Sequence, residues 1–267
     1  MASDRTASVS IFDTFEADWG AGGDLERDRK WMQAYVEDMV LSDKWTQGLV
    51  VTWTCAQAAR AGNLDALKSL RANDSPWGTD TCANAARAGH LVTLQWAREN
   101  GCTWDSETCN SAARAGHLHV LRWARENGCP YDYTTCAVAA FGGHIAVLQW
   151  LRENDCPWFE STCLRAAQGG HLAVLQWARA NGAMWGESTC AYAALEGHLD
   201  VLIWARENGC MWSDLTCAYA ARGGNLTALQ WLRQNGCDWD MYTYLEAVQC
   251  GNDALLQWVV ENGCSQE

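Results

Sequence analysis

Fourteen cysteines and six histidines are the side chains of this chain with the widest range of chemistry. Thiols can pair as disulfides, hold zinc together with imidazole, or attack as thiolates where a base lies near. Spacing decides among these. Seven cysteines recur 27 residues apart, Cys55, Cys82, Cys109, Cys136, Cys163, Cys190 and Cys217. A second series, Cys102, Cys129, Cys156, Cys210, Cys237 and Cys264, keeps the same period with one gap, and Cys250 lies outside both. Stacked helices lie roughly 8 to 10 Å apart, beyond the roughly 7 Å Cα limit of a disulfide, so members of one series do not bridge. Cross-series neighbours such as Cys102 and Cys109 are left as the possible pairs. There is no C-x-x-C, and C-x6-C is not a zinc-ligand spacing. The direct reading is small apolar core thiols, with no metal bound. The rival reading is a thiol-based redox or metal-responsive protein, which predicts exposed, reactive thiols.

His90, His117, His144, His171 and His198 form a third series at the same period, with Asn63, Asn225 and Asn252 in the equivalent place of other units and His119 off the series. A general base or metal ligand does not exchange with asparagine. Both residue types hydrogen-bond backbone groups, so this column predicts a local role at the start of the helix that follows it. No nucleophile-and-base arrangement, paired carboxylates or phosphate-cradling glycine loop accompanies it, and an enzyme is not expected.

What positions these columns is a unit repeated eight times without slippage, opening at Thr54, Thr81, Thr108, Thr135, Thr162, Thr189, Thr216 and Thr243. In the unit from Thr108, Asp105 and Ser106 are placed to cap a first helix and Glu107 suits its positive end. That helix is expected to run to about Ala115, with Gly116 as the turn. Leu118, Leu121 and Trp123 mark a second helix, which Asn127-Gly128 closes. Helices this short do not hold alone in water, so each unit is stable only when stacked. Stacking should bury Cys109, Ala112, Ala113, Leu118 and Leu121. The alanines let first helices approach closely, and the tryptophan columns, Trp96 through Trp258 and Trp77 through Trp239, should fill the wider space left by the second. Arg71, Arg98, Arg125, Arg152, Arg179, Arg206 and Arg233 form a charged edge able to stack on those rings.

The unit reads T-C-A-x-A-A-x-x-G-H-L-x-V-L-Q-W-A-R-E-N-G-C-x-W-x-x-x, and this pattern resembles the first helix, turn, second helix and trailing segment of an ankyrin repeat. Family repeats span about 33 residues, and the shortfall lies between the second Trp and the next Thr, where the family carries its β-hairpin finger. The resemblance covers residues 54–267 and is to a short Trp- and Cys-rich subtype of protists and large DNA viruses. It implies an all-α, ankyrin-like helix-turn-helix solenoid of eight 27-residue repeats with shortened or absent fingers. It also implies a non-enzymatic scaffold without cofactor that binds a protein or peptide through the concave face of its first helices.

Composition narrows the partners. A net charge of −13 repels phosphates and speaks against nucleic acid. No apolar run reaches the roughly eighteen residues of a membrane span, and no signal peptide is evident, so the chain is expected to be an intracellular monomer, cytoplasmic or nuclear. Residues 1–53 break the period and carry ten acidic against five basic side chains. Their stretch from Leu25 to Leu41 is patterned as an amphipathic helix, suited to capping the first unit or docking a partner.

Function should reside where the units differ, because positions common to all are explained by stacking. The fourth and seventh residues of each unit vary and share one face of the first helix. Along them run Arg60, Arg87 and Arg114, then Val138, Phe141, Arg165, Gln168, Tyr192, Leu195, Tyr219 and Arg222. An arginine stripe suited to acidic groups thus adjoins aromatic anchors, the composition of interface hot spots. Tyr133, Phe159, Leu215, Met241 and Tyr242 are candidates for the rim of that groove or for loop cover. A self-associating structural protein is the further alternative, through the same apolar residues.

Overall fold

A computed structural model describes residues 53–264, so the amino-terminal segment and its expected helix from Leu25 to Leu41 lie outside the described residues. The described residues form sixteen α-helices in eight successive pairs, with no strand among them: an all-α helical repeat solenoid. The first helices are α1 (Cys55–Arg60), α3 (Thr79–Arg87), α5 (Ser106–Arg114), α7 (Tyr133–Phe141), α9 (Glu160–Gln168), α11 (Glu187–Glu196), α13 (Asp214–Arg222) and α15 (Met241–Gln249). The second are α2 (Leu64–Ala72), α4 (Leu91–Glu99), α6 (Leu118–Glu126), α8 (Ile145–Glu153), α10 (Leu172–Ala180), α12 (Leu199–Glu207), α14 (Leu226–Gln234) and α16 (Asp253–Glu261).

Local rules set the boundaries. Asp105 caps α5 by accepting a hydrogen bond from the Glu107 amide at 3.0 Å. Asp132 and Ser213 form reciprocal capping boxes with Thr135 and Thr216, which gives the recurrent threonine one of its uses. After α6 the chain turns left-handed at Gly128, φ 85°, where only glycine is free of strain. The expected short loop is present, residues 127–132 in this repeat.

Each first helix packs on the first helices before and after it and on the second helix of its own repeat, while second helices touch one another sparsely. The cause is residue size. Ala112 and Ala113, like Ala85, Ala86, Ala139 and Ala140, have no exposed surface and keep the backbones close. From the other side one leucine per repeat, Leu94, Leu121, Leu148, Leu175, Leu202 and Leu229, is fully buried. Each such burial stabilises by about 1.5–3 kcal/mol. Leu118 departs from expectation: it packs on the core but stays half-buried.

The histidine column also departs from its expected local role. His144 Nε2 donates to the carbonyl of Arg114 at 3.0 Å, His171 to Phe141 at 2.9 Å and His198 to Gln168 at 3.2 Å. Each ring therefore reaches back thirty residues and ties its repeat to the end of the previous first helix. Asn225 does the same toward Ala194 and Leu195, which explains the exchange. Asn63 and Asn252 do cap locally, accepting from the Ala66 and Leu255 amides.

The tryptophans among the described residues are not interior. They pack against the core from its edge and remain half-buried, since an indole is too large for the space between helices. Each loop Trp meets the second-helix Trp of the next repeat edge to face, Trp77 with Trp96 at 5.8 Å and Trp104 with Trp123 at 5.7 Å. The arginine column completes this ladder. Arg98 lies 4.1 Å over Trp104 and donates to the carbonyl of Cys102. Arg152 lies 4.5 Å over Trp158 and donates to that of Cys156 at 2.7 Å. What reads in sequence as a charged edge is a set of ties within each repeat, holding the loop Trp and a loop carbonyl to the end of the second helix.

Candidate functional site

The varying face follows the row of first helices. Their N-termini are fixed by the caps above and their far ends by the histidine ties, so side chains at the fourth and seventh positions are carried on a rigid strip. Arg60, Arg87, Arg114, Arg165 and Arg222 are exposed on it, and Val138, Phe141, Gln168, Tyr192, Leu195 and Tyr219 are half-buried. Val138 packs against the buried core, which corrects its reading as a residue free of stacking duty.

Three groupings emerge. In the first, the Arg114 guanidinium lies 4.7 Å over the Phe141 ring, the next residue along the seventh-position row. Its basicity is lowered by partial burial and then by the charges of Arg87 and Arg165, with Glu107 offsetting part. Arg114 thus sits over an aromatic ring within the field of two further arginines. In the second, Arg165 donates to Gln168 Oε1 at 2.6 Å, and Gln168 donates to Glu196 at 3.3 Å. In the third, Tyr192 and Tyr219 are in contact at 5.6 Å between centroids, and Arg222 sits 5.4 Å over Tyr219. Arg222 is bound in a fork by Glu246, whose carboxyl it holds below the usual carboxylate range.

Sequence reasoning placed Arg222 among the partner-binding residues, beside the aromatic anchors. The fork with Glu246 neutralises it, so only the amino-terminal part of the strip carries net positive charge. The signal was present, since Glu246 lies one period less three residues after Arg222. The rim residues Tyr133, Phe159, Leu215, Met241 and Tyr242 are all exposed at the start of first helices, and Tyr133 stacks on Phe159 at 5.3 Å. They therefore do not serve as loop cover.

Thirteen of the cysteines are buried and Cys250 is half-buried. The neighbour of Cys102 is Cys82, not the sequence-adjacent Cys109, because the end of a second helix returns to the start of its own first helix. Among the described residues no cluster of three or more His, Cys, Asp or Glu is suited to a metal. No helix among them is long and apolar enough to cross a membrane. The strip offers charge, π-faces and apolar surface on a fixed frame, which is equipment for gripping.

No protein-family model matches this chain, and no curated protein matches it either.

Proposed function

We infer that the chain is a non-enzymatic scaffold of the ankyrin type that holds a protein or peptide partner along its first-helix face, as an intracellular monomer. The observation that carries this reading is the exposed arginine row Arg87, Arg114 and Arg165, in which Arg114 lies over Phe141 and feels the charge of the other two. Like charges held together lower stability unless something of opposite charge relieves them. A partner with acidic side chains would do so, while Phe141 and the Tyr192–Tyr219 pair take its apolar side chains. The first helices pack closely on one another while the second touch sparsely, which supports a continuous face along the first helices.

The test is affinity capture with the intact chain and with a Phe141→Ala, Tyr192→Ala, Tyr219→Ala variant shown to be folded by circular dichroism. Recovery of a partner by the intact chain alone, weakened as salt rises, supports the reading. Equal recovery by both refutes the groove as the site. Concentration-dependent sedimentation of the intact chain, abolished in the variant, would favour self-association instead.

A further inference from the structure

Five repeats hold two thiols against each other: Cys82 with Cys102, Cys109 with Cys129, Cys136 with Cys156, Cys190 with Cys210 and Cys217 with Cys237. All ten side chains are buried without exposed surface. The order within each pair is the same. The loop thiol donates onward to a carbonyl of the loop before its repeat, Cys102 to Gly78 at 3.2 Å, Cys129 to Asp105 at 3.2 Å and Cys156 to Asp132 at 3.3 Å. The first-helix thiol in turn points at its partner residue, Cys109 donating to the Cys129 carbonyl at 4.0 Å and Cys217 to the Cys237 carbonyl at 3.9 Å. The remaining repeats break the pair by substitution. Ser75 stands opposite Cys55, Ala183 opposite Cys163, and Tyr244 where a first-helix cysteine would meet Cys264.

We propose that these five pairs are dithiol modification sites that close into within-repeat disulfides when a two-electron oxidant, such as a peroxide, a small disulfide or a diazene, meets an opened repeat. The geometry selects this product. A bound metal would leave thiolate charge in an apolar interior beside a carbonyl oxygen, whereas a disulfide is neutral and needs only that sulfurs already in contact close to about 2 Å. The asymmetry assigns the roles. Donation from the first-helix thiol pulls the loop thiol below the ordinary thiol pKa, while the same bond and burial push the first-helix thiol up. The loop thiol is therefore the attacking group and its partner resolves.

With diamide, the loop thiolate adds to the N=N bond, forming S–N, and one nitrogen takes a proton. The first-helix sulfur then attacks the loop sulfur. S–S forms, S–N breaks, and the second nitrogen takes the other proton. Two thiols are oxidised and the diazene is reduced to the hydrazine. Because both sulfurs are buried, the reaction waits on local opening, so repeats near the ends of the solenoid should close before the central one. This inference does not depend on the groove.

The experiment treats the full chain with diamide in sub-denaturing urea, counts thiols in guanidinium chloride and maps linked peptides by mass. The expected count falls from fourteen to four, leaving Cys55, Cys163, Cys250 and Cys264. Links should join only the five named pairs, and the melting temperature should rise. The chain supplies its own control in the fifth repeat, where Ala183→Cys should add a sixth link, to Cys163. Cys102→Ala should remove one link and leave Cys82 free. A count that stays at fourteen, links such as Cys102 to Cys109 or between chains, or no added link in Ala183→Cys overturns the proposal.

Discussion

Gly143 and Gly128 are both turn residues in the left-handed region, at φ 79° and 85°, yet their surroundings differ. A Cβ at Gly128 would meet nothing within 4 Å, whereas one at Gly143 would lie 2.7 Å from the His171 ring. Alanine at Gly128 therefore costs only the backbone penalty, about 1–2 kcal/mol. Alanine at Gly143 costs the same and also displaces the ring that donates to the Phe141 carbonyl at 2.9 Å. Loss of that bond, leaving its carbonyl without the donor, adds about 1–3 kcal/mol. Gly143→Ala should thus lower stability by about 2–5 kcal/mol, a large share of the 5–15 kcal/mol typical of a domain, and Gly143→Val should unfold the middle repeats. Urea unfolding followed by circular dichroism measures the totals, and hydrogen exchange of α7 to α10 locates the damage. In the double variant Gly143→Ala, His171→Ala the ring is gone, so the two losses should fall short of additive by about the collision term. Equal costs at 128 and 143, or strict additivity, would refute the claim that the histidine tie couples these repeats.

Two further outcomes follow from the same contacts. Burial lowers the pKa of His117 and His171 below the ordinary 6.5, so the unfolded chain binds more protons just below that value. Stability should be full above about pH 6.5 and decline as pH falls through the folded values. His117→Asn with His171→Asn, copying Asn225, should flatten denaturation midpoints between about pH 5 and 7. An unchanged slope would place the titration elsewhere. On native protein an alkylating reagent should reach Cys250 first and the other thirteen thiols only on unfolding, since burial shields them and, as at Cys163, pushes the thiol up to about 12. Rapid labelling of many thiols would instead favour a thiol-reactive function.

The period carried most of the fold because helix-pair repeats encode their elements locally. The caps at Asp105 and Asp132, the turn at Gly116 and the alanine-lined first helices follow from residues within a few positions of one another. What the period does not encode is which copy of a residue meets which. His171 looks local, yet its partner is thirty residues back. Cys102 looks paired with nearby Cys109, yet folding brings it to Cys82. Trp104 has the hydrophobicity of a core residue, but its volume keeps it at the edge beneath Arg98. The candidate face was legible as a face because a spacing of three and four fixes it. Its internal pairing, Arg114 on Phe141 and Arg222 with Glu246, depends on distances between repeats that no single unit contains.

That pairing also separates what stacking requires of this face from what it leaves to function. At its carboxyl-terminal end the strip is resolved internally: Glu246 answers Arg222, and Glu196 answers Gln168. The same device was open at the other end, where an acidic residue at the fourth position of the third or fourth unit would lie beside Arg87 or Arg114. Those places hold Ser111, turned inward on Glu107 at 3.1 Å, and Val138, turned onto the core. In a chain of net charge −13 acids are abundant, so the lack of a carboxylate at those two places is not a shortage of acids within the sequence. A face shaped only by stability would have paired the arginines. On the reading proposed above, the positive charge serves an acidic surface that arrives from outside. Replacing Val138 by Glu should therefore weaken partner binding while raising the melting temperature only if the added carboxylate reaches Arg114. A rise in stability with binding intact would show that the arginines serve the fold alone.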